Sequence, residues 1–167
     1  MGNSRRYRRK SMKEPLSTIT NVAYAVAGVM IWHVWITPVM IMLVVTSAGY
    51  HWTKEHEWRM ADVDSMLLVM SVFLLHIWGV PHVFSLFVAA ILILTKPNRT
   101  AIVLAWFALI CAGVYIAGGT FWFVIPFAIG GACNIPFLWL SWNRRLTDAI
   151  HAIWHIATAT GLYMLAL

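Results

Sequence analysis

Charge is what this chain has least of. Six acidic and twelve basic side chains are spread over 167 residues, and at 11% the charged fraction is well below the roughly 25% of an ordinary soluble domain. So few charges cannot coat a water-soluble globule. Polar linkers are missing too, and no repeat of fixed period or low-complexity tract occurs beyond a basic N-terminal run. Only two cysteines occur, Cys111 and Cys133, both inside apolar runs. They read as buried free thiols, give no sign of a disulfide framework, and say nothing of redox compartment.

What the chain does have is apolar length. Hydrophobic residues make up 61% and the mean hydropathy is +0.76, which leaves no room for a separate soluble domain. The expectation is an all-α integral membrane protein: a basic cytoplasmic tail over 1–15 and one seven-transmembrane helix bundle over 16–167. The apolar segments run over 16–35, 37–53, 61–79, 82–95, 100–117, 120–141 and 147–167. Each is near the ~20 residues that cross a ~30 Å hydrocarbon core, the fourth being short. Lipid satisfies no backbone polar group, so the segments must be helices.

The basic residues orient this bundle. Lys54, Arg59, Lys96, Arg99, Arg144 and Arg145 fall in the second, fourth and sixth connections, and the other six Lys and Arg lie in the tail. All twelve are then on one side, so the positive-inside rule puts the N-terminus in the cytoplasm and the C-terminus on the opposite side. A multi-pass protein of a bacterial inner membrane or a eukaryotic internal membrane fits that arrangement. The net charge of +6 is thus a signal of topology, and no nucleic-acid partner is expected. The run Arg5-Arg6-Tyr7-Arg8-Arg9-Lys10 suits anionic headgroups. A myristoylation signal fails at Arg6, and a signal peptide is disfavoured because the apolar run continues through Trp32 and His33 without a small-residue cleavage site.

Inside the apolar frame stands His151-Ala-Ile-Trp-His155, two imidazoles one helical turn apart on one face. Ionisable groups in membrane segments are costly and tend to mark function. The topology brings three further polar residues to the same cytoplasmic depth: His51 at the end of the second helix, Ser47 one turn before it, and Asp62 at the start of the third. His51, His151 and His155 are the right number and type of ligands for a zinc ion that keeps a fourth position for water. Asp62 is placed to take a proton from that water, whose pKa zinc lowers toward ~7, and Ser47 to hydrogen-bond it or a developing oxyanion. Asp148 could orient His151, but an N-terminal capping role with Thr147 in the last helix fits better. His33, His76 and His82, beside Trp32, Trp35 and Trp78, read as an interfacial belt, and His56 as a solvated loop residue. Tyr24, Asn21 and Asn134 are intrahelical polar groups suited equally to a lipid headgroup or to helix packing. Two rival uses are a bis-histidine haem site, which leaves Ser47 and Asp62 idle, and an ion relay through Asp62 and Asp64, which ignores the paired histidines.

The set Ser47-x3-His51, Asp62 and His151-x3-His155 resembles the pattern of the CREST superfamily of seven-helix membrane hydrolases, which includes alkaline ceramidases and the adiponectin and progestin receptors. The likeness is closest to the alkaline ceramidases. Ser47-Ala-Gly-Tyr-His51-Trp-Thr53 is similar to their second-helix motif, and the interval to Asp62 agrees. His151-Ala-Ile-Trp-His155, with Thr158, Gly161 and Tyr163, is similar to their seventh-helix motif, and Glu14-Pro-Leu-Ser-Thr-Ile-Thr-Asn21 to the opening of their first helix. The resemblance implies zinc on His51, His151 and His155, with Ser47 and Asp62 flanking the water. It also implies hydrolysis of the amide of ceramide-like lipids, which enter from the bilayer and leave as fatty acid and sphingoid base. Some ceramidases carry an acidic N-terminal calcium site; here that stretch is basic and Glu14 alone corresponds to one of its ligands, so calcium dependence is doubtful. The receptor branch offers the alternative of a regulatory protein with a structural zinc. Oligomeric state has no signature in the sequence.

Overall fold

The computed structural model describes residues 14–95, 99–139 and 144–167, with the side chains at 89, 92, 93, 95, 99–101, 103, 104, 134–139, 144 and 145 excepted. The tail arginines, Lys96, and the side chains of Arg99, Asn134, Arg144 and Arg145 therefore lie outside the described residues. The described chain is all helical: α1 Pro15–Thr20, α2 Val22–Ile31, α3 Ile36–Thr53, α4 His56–Ile77, α5 Val83–Thr95, α6 Arg99–Ile116, α7 Val124–Trp139 and α8 Arg144–Ala166. Only Asn21 separates α1 from α2, and its backbone is itself right-handed helical, so the two form one rod and the rods number seven.

Helix boundaries follow local chemistry. Pro15 opens α1 at the position where its missing N–H costs nothing. Trp32 and Lys54 end α2 and α3 in the left-handed conformation, each returning its N–H to a carbonyl of the last turn. The sequence predicts a connection over 54–60, but α4 already begins at His56, which is exposed there with Glu57 beside it. Polar residues in a first turn do not prevent a helix, and an acidic one favours its N-terminal dipole. Likewise α8 begins at Arg144, so Thr147 lies inside it rather than capping it.

The rod α1–α2 packs against α3 and α8, α4 against α3, α5 and α6, and α7 against α8. The core lies where α2, α3, α4 and α8 meet, around Tyr24, Met40, Leu43, Val72, Phe73 and Leu162. Gly161 of α8 allows close contact with α7: a Cβ there would stand 2.8 Å from the Phe127 ring. Outward faces stay apolar, with Val26, Val29, Val45, Leu94, Ile125 and Ile153 about half exposed or more. Two helices, His56–Ile77 and Leu146–Ala166, are long and apolar enough to cross a membrane, while Pro15–Ile31, Ala105–Ile116 and Val124–Cys133 are shorter apolar helices. Cys111 and Cys133 are free thiols, half-buried rather than buried.

Candidate metal centre

Three imidazoles meet at one end of this core. The last turn of α3 presents His51, and one face of α8 presents His151 and His155. Ring centroids are 4.6 Å apart for His51 and His151, 4.7 Å for His151 and His155, and 5.0 Å for His51 and His155. One nitrogen from each lies within 4.8 Å of the other two. His51 and His155 are essentially inaccessible, with 2% and 0% of their surfaces exposed. The trio is able to bind a metal ion.

The outward-facing nitrogens of two of these rings are already engaged. His155 Nδ1 stands 3.0 Å from the Ser17 carbonyl oxygen, with the Thr20 hydroxyl at 3.2 Å. A carbonyl oxygen only accepts, so Nδ1 carries the proton and Nε2 keeps its lone pair. That Nε2 is buried and has no hydrogen-bond partner among the described residues. His51 Nδ1 lies 2.7 Å from Glu14 Oε2, and donation to that carboxylate likewise leaves the Nε2 lone pair for a metal. Carboxylate or carbonyl partners behind a ligating histidine are the usual means of fixing its tautomer and ring orientation.

Glu14 sits just before α1. Burial works to raise its pKa, but hydrogen bonds and charge from His51 and Lys54 prevail and hold it down to about 2. The Lys54 ammonium pairs with the same Glu14 oxygen, and the Glu14 backbone N–H donates to the His51 carbonyl at 3.0 Å. The one acidic residue that could have matched a calcium ligand is thus spent on His51 and Lys54.

Ser47 and Asp62 come together beside His51. Ser47 is one turn earlier on α3 with its hydroxyl close to the Asp62 carboxyl, and Asp62 Oδ1 is buried without a hydrogen-bond partner among the described residues. Both side chains are buried. The structure therefore places all five residues singled out by spacing at one end of the bundle.

Asp148 differs from either expected role. Its carboxylate accepts the backbone N–H groups of Leu16 at 3.0 Å and Ser17 at 2.8 Å and the Ser17 hydroxyl at 2.6 Å. It caps α1, not its own helix, and supplies a negative charge to that helix's N-terminal dipole. Sequence reasoning misses this partner because the contact spans more than 130 residues. Ser17 had the same fate: its N–H and hydroxyl go to Asp148 and its carbonyl to His155. Tyr24 and Asn21 make helix-packing contacts, Tyr24 bonding the Thr158 hydroxyl and Asn21 Nδ2 donating to the Ser17 carbonyl at 2.8 Å. Asn134 is outside the described side chains.

His33, His76 and His82 lie at helix ends and turns, with His82 stacked on Trp35. Spacing does not reveal that they gather into a second trio, with one ring nitrogen of each within 4.8 Å of the other two. Comparison with family models, with curated proteins and with solved structures finds no match to this chain, so function must be argued from its own residues.

Proposed function

We propose that this chain is a multi-pass membrane hydrolase that cleaves the amide bond of ceramide-like lipids, with zinc on His51, His151 and His155. One observation carries the reading: two of three convergent imidazoles have their outer nitrogens tied to Glu14 and Ser17, which leaves their Nε2 lone pairs for a common ion. A buried Nε2 with no other partner is what a ligand nitrogen needs, and His155 has one. When bound, zinc supplies Lewis acidity, polarising the substrate carbonyl and lowering the pKa of water toward ~7.

The chain's own residues divide the remaining work. Asp62 accepts the proton of the attacking water on Oδ1 and returns it to the leaving amine nitrogen. Ser47, buried close to Asp62, offers its hydroxyl to that carboxyl or to the developing oxyanion. Glu14 and Ser17 keep His51 and His155 in the ligating tautomer. An apolar groove of about 240 Å³ between α2 and α8, lined by Ala27, Met30, Ile156, Ala159 and Tyr163, runs along α8 from the residue after His155 and suits an acyl chain.

Membrane residence and seven crossings belong to this proposal. They are supported by the apolar outward faces and by Lys54 and Arg59 standing at the same end as the metal trio. The haem alternative fits less well, since axial histidines must face each other across a macrocycle. Here His51 and His155 lie 5.0 Å apart with His151 against both.

The test is a panel of ceramides, other lipid amides and lysolipids incubated with purified protein, with and without chelator, alongside elemental analysis. Chelator-sensitive release of fatty acid is expected. Asp62→Asn should keep zinc and lose turnover, whereas His155→Ala should lose both. A Soret band without zinc, or full amidase activity in Asp62→Asn, would sink the assignment.

A further inference from the structure

The second histidine trio lies at the other end of the bundle. His33 comes from the turn between α2 and α3, His76 from the last turn of α4, and His82 from the turn between α4 and α5. His76 is 14 residues beyond Asp62 on α4, which at 1.5 Å per residue separates the two trios by about 21 Å. We propose that His33, His76 and His82 form a second, independent metal site for a borderline divalent transition ion such as zinc, clipping two adjacent turns together.

The geometry is that of one coordination sphere. Ring centroids are 5.0 Å apart for His33 and His76, 4.9 Å for His33 and His82, and 5.4 Å for His76 and His82. His76 Nδ1 and His82 Nε2 approach to 3.3 Å. Two nitrogens at ~2.05 Å from a tetrahedral zinc are separated by about 3.3 Å, the edge of the tetrahedron. A hydrogen bond accounts for that pair alone, but not for a third imidazole with a nitrogen within 4.8 Å of both.

The turns that carry these rings are pinned. Thr37 Oγ1 accepts the His33 N–H at 3.0 Å and donates to the Gly28 carbonyl at 2.8 Å, while the Thr37 N–H returns to the His33 carbonyl at 2.9 Å. Gly79 takes a positive φ of 64° that an L side chain resists, and with Pro81 it folds the chain back so that His82 meets His76. The His82 ring stacks on Trp35, with 7° between the planes and 6.3 Å between centroids.

Charge points the same way. All six acidic residues, at 14, 55, 57, 62, 64 and 148, belong to the end of the bundle that holds the first trio. No carboxylate is therefore at hand to favour protonated imidazoles at this end, and three neutral nitrogens are the form a metal binds. All three rings are half-buried, so an ion has access and a fourth position stays open to water.

The decisive background is the full-length His151→Ala/His155→Ala chain in detergent, where the first trio is broken and its function is irrelevant. After stripping with chelator, reloading with zinc and dialysis, elemental analysis should find one zinc per chain, and zinc should raise the melting temperature. Adding His82→Ala should remove that equivalent and the thermal shift together. His82 lies in a turn, and the zinc-free melting temperature shows whether the added substitution leaves the fold intact. Absence of zinc in the His151→Ala/His155→Ala chain, or retention of it after His82→Ala, overturns the proposal. As a second reading, wild-type protein should load two zinc ions and His76→Ala/His82→Ala one; equal loading of the two overturns it as well.

Discussion

Glu14→Ala isolates the contribution of the group behind the proposed ligand His51. Glu14 touches no reacting atom, yet its Oε2 lies 2.7 Å from His51 Nδ1 and orients a ring that is 2% exposed. Loss of such a partner costs 10–100-fold in metal affinity in other proteins, or about 1.4–2.7 kcal/mol. A second effect adds to this: Lys54 Nζ stands 3.4 Å from His51 Nδ1, and without Glu14 its charge is no longer neutralised beside a bound dication. Glu14→Ala should therefore fall at the weaker-binding end of that range. Glu14→Gln, which keeps an acceptor oxygen but no charge, should lie between it and wild type. Competition of the detergent-solubilised chain against a chromogenic chelator measures the zinc affinity, with circular dichroism verifying the fold. Unchanged affinity in Glu14→Ala would refute the argument that the carboxylate sets the His51 tautomer. Calcium supplies a further check, because a Glu14 committed to His51 and Lys54 predicts that added calcium changes neither zinc affinity nor stability.

Asp148→Ala should destabilise the chain by about 2–4 kcal/mol, since it strands the donors of Leu16 and Ser17 at a buried helix N-terminus. Its zinc affinity should fall in parallel, because the Ser17 carbonyl then holds His155 less firmly; thermal unfolding and the same chelator competition read both, and a stability loss with unaltered affinity would separate α1 docking from the metal trio. Gly161→Ala sets a Cβ 2.8 Å from the Phe127 ring and should cost about 1–3 kcal/mol through α7–α8 separation, seen as a lower melting temperature.

Much of the first trio was legible because it depends on periodicity. His151 and His155, or Ser47 and His51, share a helix face wherever the helix goes. Alternating helix direction alone then sets His51, Asp62 and the start of α8 at one end. What spacing does not encode is lateral adjacency, and every missed side-chain contact depends on it. Asp148 reaches Ser17 only because α1 lies against α8, and Glu14 reaches His51 only because α1 lies against α3. The second trio fails for the same reason: topology puts residues 33, 76 and 82 at one end, but not the α2–α3 turn beside the α4–α5 turn. Helix starts were misjudged at α4 and α8, where charged first turns read as loop although they extend helices by several residues.

A physical tension at the first trio explains why its residues are arranged as they are. His155 Nε2, with Nδ1 protonated against Ser17, is an acceptor; Asp62 Oδ1 as a carboxylate oxygen is an acceptor too, and both are buried without a hydrogen-bond partner among the described residues. Leaving such a group unsatisfied costs about 1–3 kcal/mol, and more where it is charged. Two acceptors cannot satisfy one another, so neither can be relieved by a shift of the other. Nor can the tautomer of His155 invert, because its Nδ1 would then set a lone pair against the Ser17 carbonyl. The remedies are a proton shared between the two, or a cation on the imidazole lone pair with a donor such as water on the carboxylate. A cation and a water are the two components that amide hydrolysis needs next to each other, and α1's first turn, through Ser17 on His155 and Glu14 on His51, holds the imidazole lone pairs in place for the first of them.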